Sequence, residues 1–344
     1  MADHPRSQAT SASASDLGRE RLSAVSGKAE HGLGDAGAAD LARLIGNLER
    51  KLDQMSRRVD TLAASMEAVR RSQAVYLGDH VACTYLHNGW RIFVDTRSFD
   101  VGIHLLFGGR WEPMHSRVFE RMLFKGAGVL DVGANQGYYS VLAGPLIGPT
   151  GLLIAIEPNP HLARLVHNSF SINGFLRFGE VHNVAVADRE TGVVDLWVHP
   201  HLQGAAQIKP AQSLVGDARS GAHAVHRVPV STIDALLGPE RLSRVNVVKM
   251  DIEGAEALAF AGMTELLRAA RPLRMLLEFN GQSADVVAGF RELMPVLEAE
   301  DFAPLRVVHE GLLEPMTWED VFAGGVRQDI VVARQDDHGW ISVA

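Results

Sequence analysis

The sequence predicts an α/β protein, a mostly parallel sheet with helices on both faces, preceded by one long amphipathic helix. Three observations carry this. From residue 128 onward, apolar runs of strand length alternate with segments of helical period. The first such run enters a glycine-rich turn, Asp131-Val132-Gly133-Ala134-Asn135-Gln136-Gly137. Before residue 77, apolar residues recur at alternating steps of three and four.

Each element follows in order. Residues 1–38 are rich in Ala, Ser, Gly and Asp and nearly devoid of aromatic and branched residues. Such a segment cannot bury enough apolar surface to offset its ordering entropy, so a disordered tail is expected. Residues 39–76 carry a heptad stripe, with Ile45, Leu52, Val59 and Met66 at a, and Leu41, Leu48, Met55, Leu62 and Val69 at d. Tyr76 continues it. A 3.5-residue period held over four heptads predicts a coiled coil, and hence a homo-oligomer. Residues 77–127 read as a mixed extension of the catalytic domain, with a strand in WRIFVDT after the turn Asn88-Gly89 and a helix in SRVFERMLF.

The main domain is expected over 128–336. VLDVGA, LLIAIEP, EVHNVAVA, VNVVKMDI and LRMLLEF read as five buried strands. HLARLVHNSFSI, closed by Asn173-Gly174, and EALAFAGMTELLRAA read as helices between them. The polar connection before the fourth strand holds VVDLWVH and HRVPVS, which suit an antiparallel addition or an acceptor-side lid. A helix around 286–298 and the strands LRVVH and DIVVAR complete the chain.

Composition narrows the function classes. The net charge of −8 gives no electrostatic basis for a nucleic-acid partner. The only cysteine is Cys83, which excludes an internal disulfide and a multi-cysteine zinc site. The longest mostly apolar stretch, 141–156, is interrupted by glycine and proline and falls short of a transmembrane segment. The first ten residues lack the apolar core of a signal peptide, and the expected location is cytoplasmic.

The chemistry concentrates at strand ends. The 131–137 turn lets a ligand approach backbone amides at a helix N-terminus. A dinucleotide fingerprint would place glycine where Asn135 and Tyr138 stand, which weakens a nicotinamide reading. The second strand ends in Glu157, 20 residues past Gly137, where an acid can take both ribose hydroxyls of an adenosine ligand. Asp251 comes directly off the fourth strand, with Lys249 on the same side. Glu253 and Glu256 follow in a position that also suits the first turn of a helix.

The set LDVGANQGYYS, AIEPNP, NVAVAD, VPVSTIDALL, VVKMDIEGAE and LLEFN resembles the FkbM family of S-adenosylmethionine-dependent methyltransferases. The likeness covers about 130–280. The final strand also fits, and so do YLGDH, IFVDTRS and WEP in the lead-in. The resemblance implies a class I methyltransferase fold, a Rossmann-like, mostly parallel sheet of seven strands, and most often O-methylation. It implies that Asp131, Gly133, Asn135 and Gly137 cradle the methionine part of the cofactor, that Glu157 takes the ribose, and that Asn183 lies near the adenine.

A hydroxyl acceptor needs a group to take its proton or a cation to lower its pKa. Asp251 is the expected base, with Glu253 and Glu278 as alternatives. Asp251, Glu278 and Asn280 could instead hold Mg²⁺, whose ligands are oxygens. His182 lies near these motifs, but a packed strand residue is the plainer reading. The expected function is O-methylation of a glycan or glycosylated metabolite. The alternatives are an amine, carboxyl or lipid acceptor, or a coiled-coil scaffold with a degenerate methyltransferase domain.

Overall fold

The computed structural model describes residues 35–71, 74–202, 204, 206 and 224–340. The chain divides between residues 70 and 71 into two units. The described part of the first is one helix, α1 (Asp35–Arg71). Its heptad positions Leu48, Leu52, Met55, Val59, Leu62 and Met66 are half to three-quarters exposed. Of the expected disordered tail, residues 35–38 are helical and the rest lies outside the described residues. Tyr76 leaves the heptad pattern and belongs to a strand.

The second unit opens with an antiparallel meander, β1 (Val75–Gly78), β2 (Val81–Tyr85) and β3 (Arg91–Asp95). Helices α2 (Gly102–Gly108) and α3 (Pro113–Met122) lead into the alternating region. There β4 (Gly128–Val132), α4 (Tyr138–Ile147), β5 (Leu152–Ile156), α5 (Pro160–Asn173) and β6 (Gly179–His182) follow one another. A small sheet comes next, from β7 (Ala185–Val186), β8 (Gly192–Val198) and β9 (Ala224–Ser231). Then come α6 (Ile233–Leu237), α7 (Pro239–Leu242), β10 (Val247–Met250), α8 (Glu256–Ala261), α9 (Thr264–Ala269) and β11 (Arg274–Asn280). The chain closes through α10 (Ala284–Ala299), β12 (Phe302–Val307), β13 (Leu313–Pro315), α11 (Trp318–Ala323) and β14 (Arg327–Arg334).

The central sheet has eight strands in the order β13-β12-β14-β11-β10-β4-β5-β6. Strands β6, β5, β4, β10 and β11 are parallel, and β14 runs antiparallel between β11 and β12. These are the seven strands expected. The eighth, β13, is a three-residue addition paired antiparallel with β12. Alternation splits the apolar residues between two cores. Leu130, Ile154, Val248, Met275 and Leu277 face one side, and Val129, Leu153, Val247, Leu276 and Val331 face the other. A sheet covered on both faces needs such unbroken apolar runs. Caps end the helices where the sequence marks them. Asn159 accepts the His161 N–H at the start of α5, and Gly174 closes it in the left-handed region at φ 75°.

Two elements break where continuous ones were expected. The third strand divides because Asn183 turns its amide to the carbonyls of Glu157 (2.9 Å) and Pro158 (2.8 Å). The chain then leaves the main sheet after His182 and pairs as β7 with β9. The helix after Asp251 divides into α8 and α9 at Gly262 and Met263. A Cβ at Gly262 would stand 2.1 Å from the Ala187 carbonyl oxygen, so the small sheet packs directly on that break.

Strand β4 pairs with β5 on one side and with β10 on the other. The order reverses there, and in open α/β sheets the ligand crevice lies outside the strand ends at such a switch. A cleft of about 950 Å³ occupies that position.

Candidate active site

One end of the cleft is built by the turn after β4. Asn135 sits at φ 51° and donates its N–H to Glu157 Oε2 at 2.7 Å. Glu157 Oε1 accepts the Asn159 N–H at 2.8 Å. Burial pushes the Glu157 carboxyl up to about 8, against the pull of those two N–H donors. Asp131 is also buried and accepts the Ser140 hydroxyl at 2.6 Å. Burial raises it to about 6, and the Ser140 hydroxyl and the nearby Lys249 oppose the rise.

The glycines of this turn answer first to the chain itself. A Cβ on Gly133, at φ 76°, would lie 2.0 Å from the Asp251 carbonyl oxygen. Gly133 therefore lets the turn after β4 close against the end of β10. Gly137 begins α4 and packs on Val166, outside the cleft wall. Asn183 also lies outside the wall, with its amide committed to the loop after β5, and Val184 takes its place there.

The other end is built by β10, β11 and β14. Lys249 is buried within the sheet, its Nζ 3.5 Å from Asp251 Oδ2 and 5.1 Å from the Tyr139 ring centroid. Burial pulls the ammonium's pKa down, but Asp251, Glu112, Asp329 and Asp131 together push it above the ordinary lysine value. Asp251, Glu253 and Glu278 converge, each with a carboxylate oxygen within 4.8 Å of the others. Arg327 clasps two of them, at 2.6 Å from Glu253 and 3.5 Å from Glu278. Burial together with the neighbouring Asp251 pushes Glu278 up to about 8, although Arg327 opposes it. The same three oxygens are the set that could hold a divalent cation.

Other acids take different parts. Glu256 is buried and accepts the N–H groups of Ile252 (3.2 Å) and Gly254 (3.1 Å), so it holds the turn after β10. Asn280 lines the cleft and accepts the Gln282 N–H. His182 pairs with Glu180 at 3.2 Å, away from the cleft wall.

Sequence reasoning missed Asp100, Trp111, Glu112, Tyr139 and Arg327, all of which line the cleft. Glu112 accepts the Tyr139 hydroxyl at 2.6 Å. His115 stands 3.1 Å from Asp329, which adjoins the same cluster. The motif WEP and the final strand were visible, but their side-chain roles depend on β14 returning beside β11. Glu112, Asn135 and Glu253 adopt positive φ, and all three line the cleft. Such backbone costs about 1–3 kcal/mol per residue and concentrates where a site is held in place.

The family model for the methyltransferase FkbM domain matches residues 131–304, just over half of the chain. The chain belongs to this family. A protein-L-isoaspartate O-methyltransferase from Aeropyrum pernix is 33% identical over 110 residues, 32% of this chain. The match spans 40% of that relative's length. Among solved structures, methyltransferase FkbM from Methylobacillus flagellatus KT is 14% identical with a TM-score of 0.38. It covers 61% of this chain and 44% of its own. The O-methyltransferase TomG from Streptomyces achromogenes, in complex with its cofactor, is 14% identical with a TM-score of 0.34. That match covers 64% of this chain and 77% of TomG.

The matched model is that of a methyltransferase domain, the mostly parallel sheet is the one expected for the class I fold, and the resemblance to this family implies S-adenosylmethionine as cofactor. The residues present fit that group. Among the described residues the buried Asn135 Oδ1 has no hydrogen-bond partner, as an oxygen awaiting a donor would. Each Glu157 oxygen takes one N–H and retains capacity for a further donor, such as a ribose hydroxyl.

Proposed function

We propose that the chain is an O-methyltransferase whose acceptor is a hydroxyl of a glycan or glycosylated metabolite. The observation that carries this is the convergence of Asp251, Glu253 and Glu278 over a buried lysine, beside the Asn135–Glu157 cradle in one cleft. S-adenosylmethionine, when bound, supplies an electrophilic methyl group on a sulfonium. Asp131, Asn135 and Glu157 would hold it, with Gly133 closing the turn on which they stand.

The chain's remaining task is to place a hydroxyl and take its proton. A sugar or alkyl hydroxyl is a poor nucleophile until that proton leaves, and a positioned carboxylate accepts it. Asp251 is the residue for this step. It follows directly on β10, with Lys249 Nζ 3.5 Å from its carboxylate. Burial and the neighbouring Asp251 raise Glu278, which favours a proton there and lets it donate a hydrogen bond to the acceptor oxygen. A divalent cation between Asp251, Glu253 and Glu278 would supply the same activation by another route.

The exposed heptad face of α1 supports self-association, with a second copy covering the stripe. Among the described residues no helix is long and apolar enough to cross a membrane. A cytoplasmic location is part of the proposal.

Calorimetry and transfer assays test the reading together. S-adenosylmethionine should bind, and Glu157→Ala should weaken it roughly ten- to a hundredfold, the cost of leaving the buried polar groups that Glu157 serves without a partner. Unchanged affinity in that variant removes Glu157 from the ribose. Mass spectrometry after incubation with free sugars, glycans, amines and lipids should find the methyl on a sugar oxygen. Transfer to nitrogen, carboxyl or lipid alone overturns the acceptor class, and a chain that binds no cofactor is a scaffold.

A further inference from the structure

We infer that the acceptor is a neutral or amino-bearing sugar, and that one with a phosphate or carboxylate beside the reacting hydroxyl is rejected. This rests on the reading of the cleft as an O-methyltransferase site and names its substrate class. The basis is the charge of the acceptor end. Among the described residues lining the cleft, the cations are Lys249 and Arg327. Both already face carboxylates of the cleft. Lys249 is 2% exposed and faces Asp251, and Arg327 is held by Glu253 and Glu278.

The facing walls add acids. Asp100 accepts the Ser98 hydroxyl and the N–H groups of Val101 (2.8 Å) and Gly204 (2.8 Å), all neutral donors. Glu112 accepts the Tyr139 hydroxyl, with the His115 ring 3.9 Å away. Asp285 and Glu292 bring two more carboxylates from α10. This surplus exceeds the single net positive charge of the bound cofactor. A phosphate or carboxylate here would meet acceptors and like charge on several sides, and the low-dielectric walls of a cleft focus that field.

A neutral polyol meets the opposite situation. Its hydroxyls donate to carboxylate oxygens, which only accept. Trp111, also in the wall, adds apolar surface that suits the C–H side of a sugar. An amino group gains a charge partner as well.

The test uses the full-length chain and matched hexose sets, each as methyl glycoside, 2-amino sugar, uronic acid and 6-phosphate. Product mass is followed to give kcat and KM. The uronic acids and phosphates should show kcat/KM lower than the neutral sugars by at least about tenfold, chiefly through KM. The gap should narrow at high salt. It should also narrow in an Asp285→Asn, Glu292→Gln double variant, which removes rim charge and keeps shape. An anionic member that is methylated as well as its neutral match overturns the inference and leaves the O-methyltransferase reading standing. Transfer to no sugar while calorimetry shows the cofactor bound brings down the glycan reading and this inference with it.

Discussion

Asp251 reaches the cleft where β10 ends, 3.5 Å from a lysine that burial keeps from solvent. A purely structural aspartate at that point would lose stability and cofactor affinity together on mutation. A proton acceptor behaves differently. Asp251→Asn should leave cofactor affinity within about twofold, while turnover falls by roughly 10²–10⁴, the usual worth of a positioned acid–base group. EDTA separates the two ways in which Asp251 could act. Activity that survives chelation makes it the base, and activity restored only by Mg²⁺ or Mn²⁺ makes it a ligand with Glu253 and Glu278. Near-normal turnover in the Asn variant would move the role to one of those glutamates. Gly133 allows a second residue-scale test. Gly133→Ala puts a methyl where the Asp251 carbonyl oxygen stands and strains a positive φ. It should lower the thermal midpoint, and it should weaken cofactor binding by displacing the turn that holds Asn135.

At the scale of elements, the heptad seam of α1 is exposed. Leu52 and Val59 are 50% and 62% exposed, and both lie at the centre of the heptad stripe. Fully burying one such side chain is worth about 1.5–3 kcal/mol, so several heptads can hold two copies together. A Leu52→Glu, Val59→Glu double variant should give a smaller particle by light scattering, with cofactor affinity unchanged. A wild-type chain that is already monomeric at micromolar concentration would mean that the seam has no second copy to cover it. Met55 and Met66 within the seam fit less selectively than branched residues, and the stripe therefore does not specify the number of strands.

For the whole molecule, the raised carboxyls of the cleft tie stability to pH. Glu157 and Glu278 hold their protons to about 8 in the fold, against an ordinary glutamate value of 4.5. Between those values the folded chain binds more protons than the unfolded one, so stability falls as pH rises. The contribution is complete below about 4.5 and is lost as pH passes about 8. Urea midpoints of the ligand-free chain should decline across that window. Glu278→Gln, which cannot ionise, should flatten part of the decline. A midpoint that rises steadily from pH 5 to 8 would show that these groups are not held protonated.

Much of this molecule was legible in one dimension. Apolar strand runs alternating with capped helices required a sheet covered on both faces, because no other arrangement buries them. Asp131, Asn135, Glu157 and Asp251 could be singled out because each stands where a buried strand ends, and strand ends in such sheets face the ligand crevice. Other features belong to the tertiary structure alone. The division of the third strand depends on the Asn183 amide finding two carbonyls of another loop. The helix break at Gly262 depends on a carbonyl of the small sheet. Gly133 looked like a concession to a ligand, and its need proves to be the close approach of Asp251. Glu112 and Arg327, lying some 20 residues before the first motif and near the end of the chain, enter the cleft only because α3 packs against α4 and β14 returns beside β11. Period and spacing report on local geometry. Which distant side chains share a charge environment is decided by how the strands are ordered in the sheet, and that order decided the acidity of this cleft.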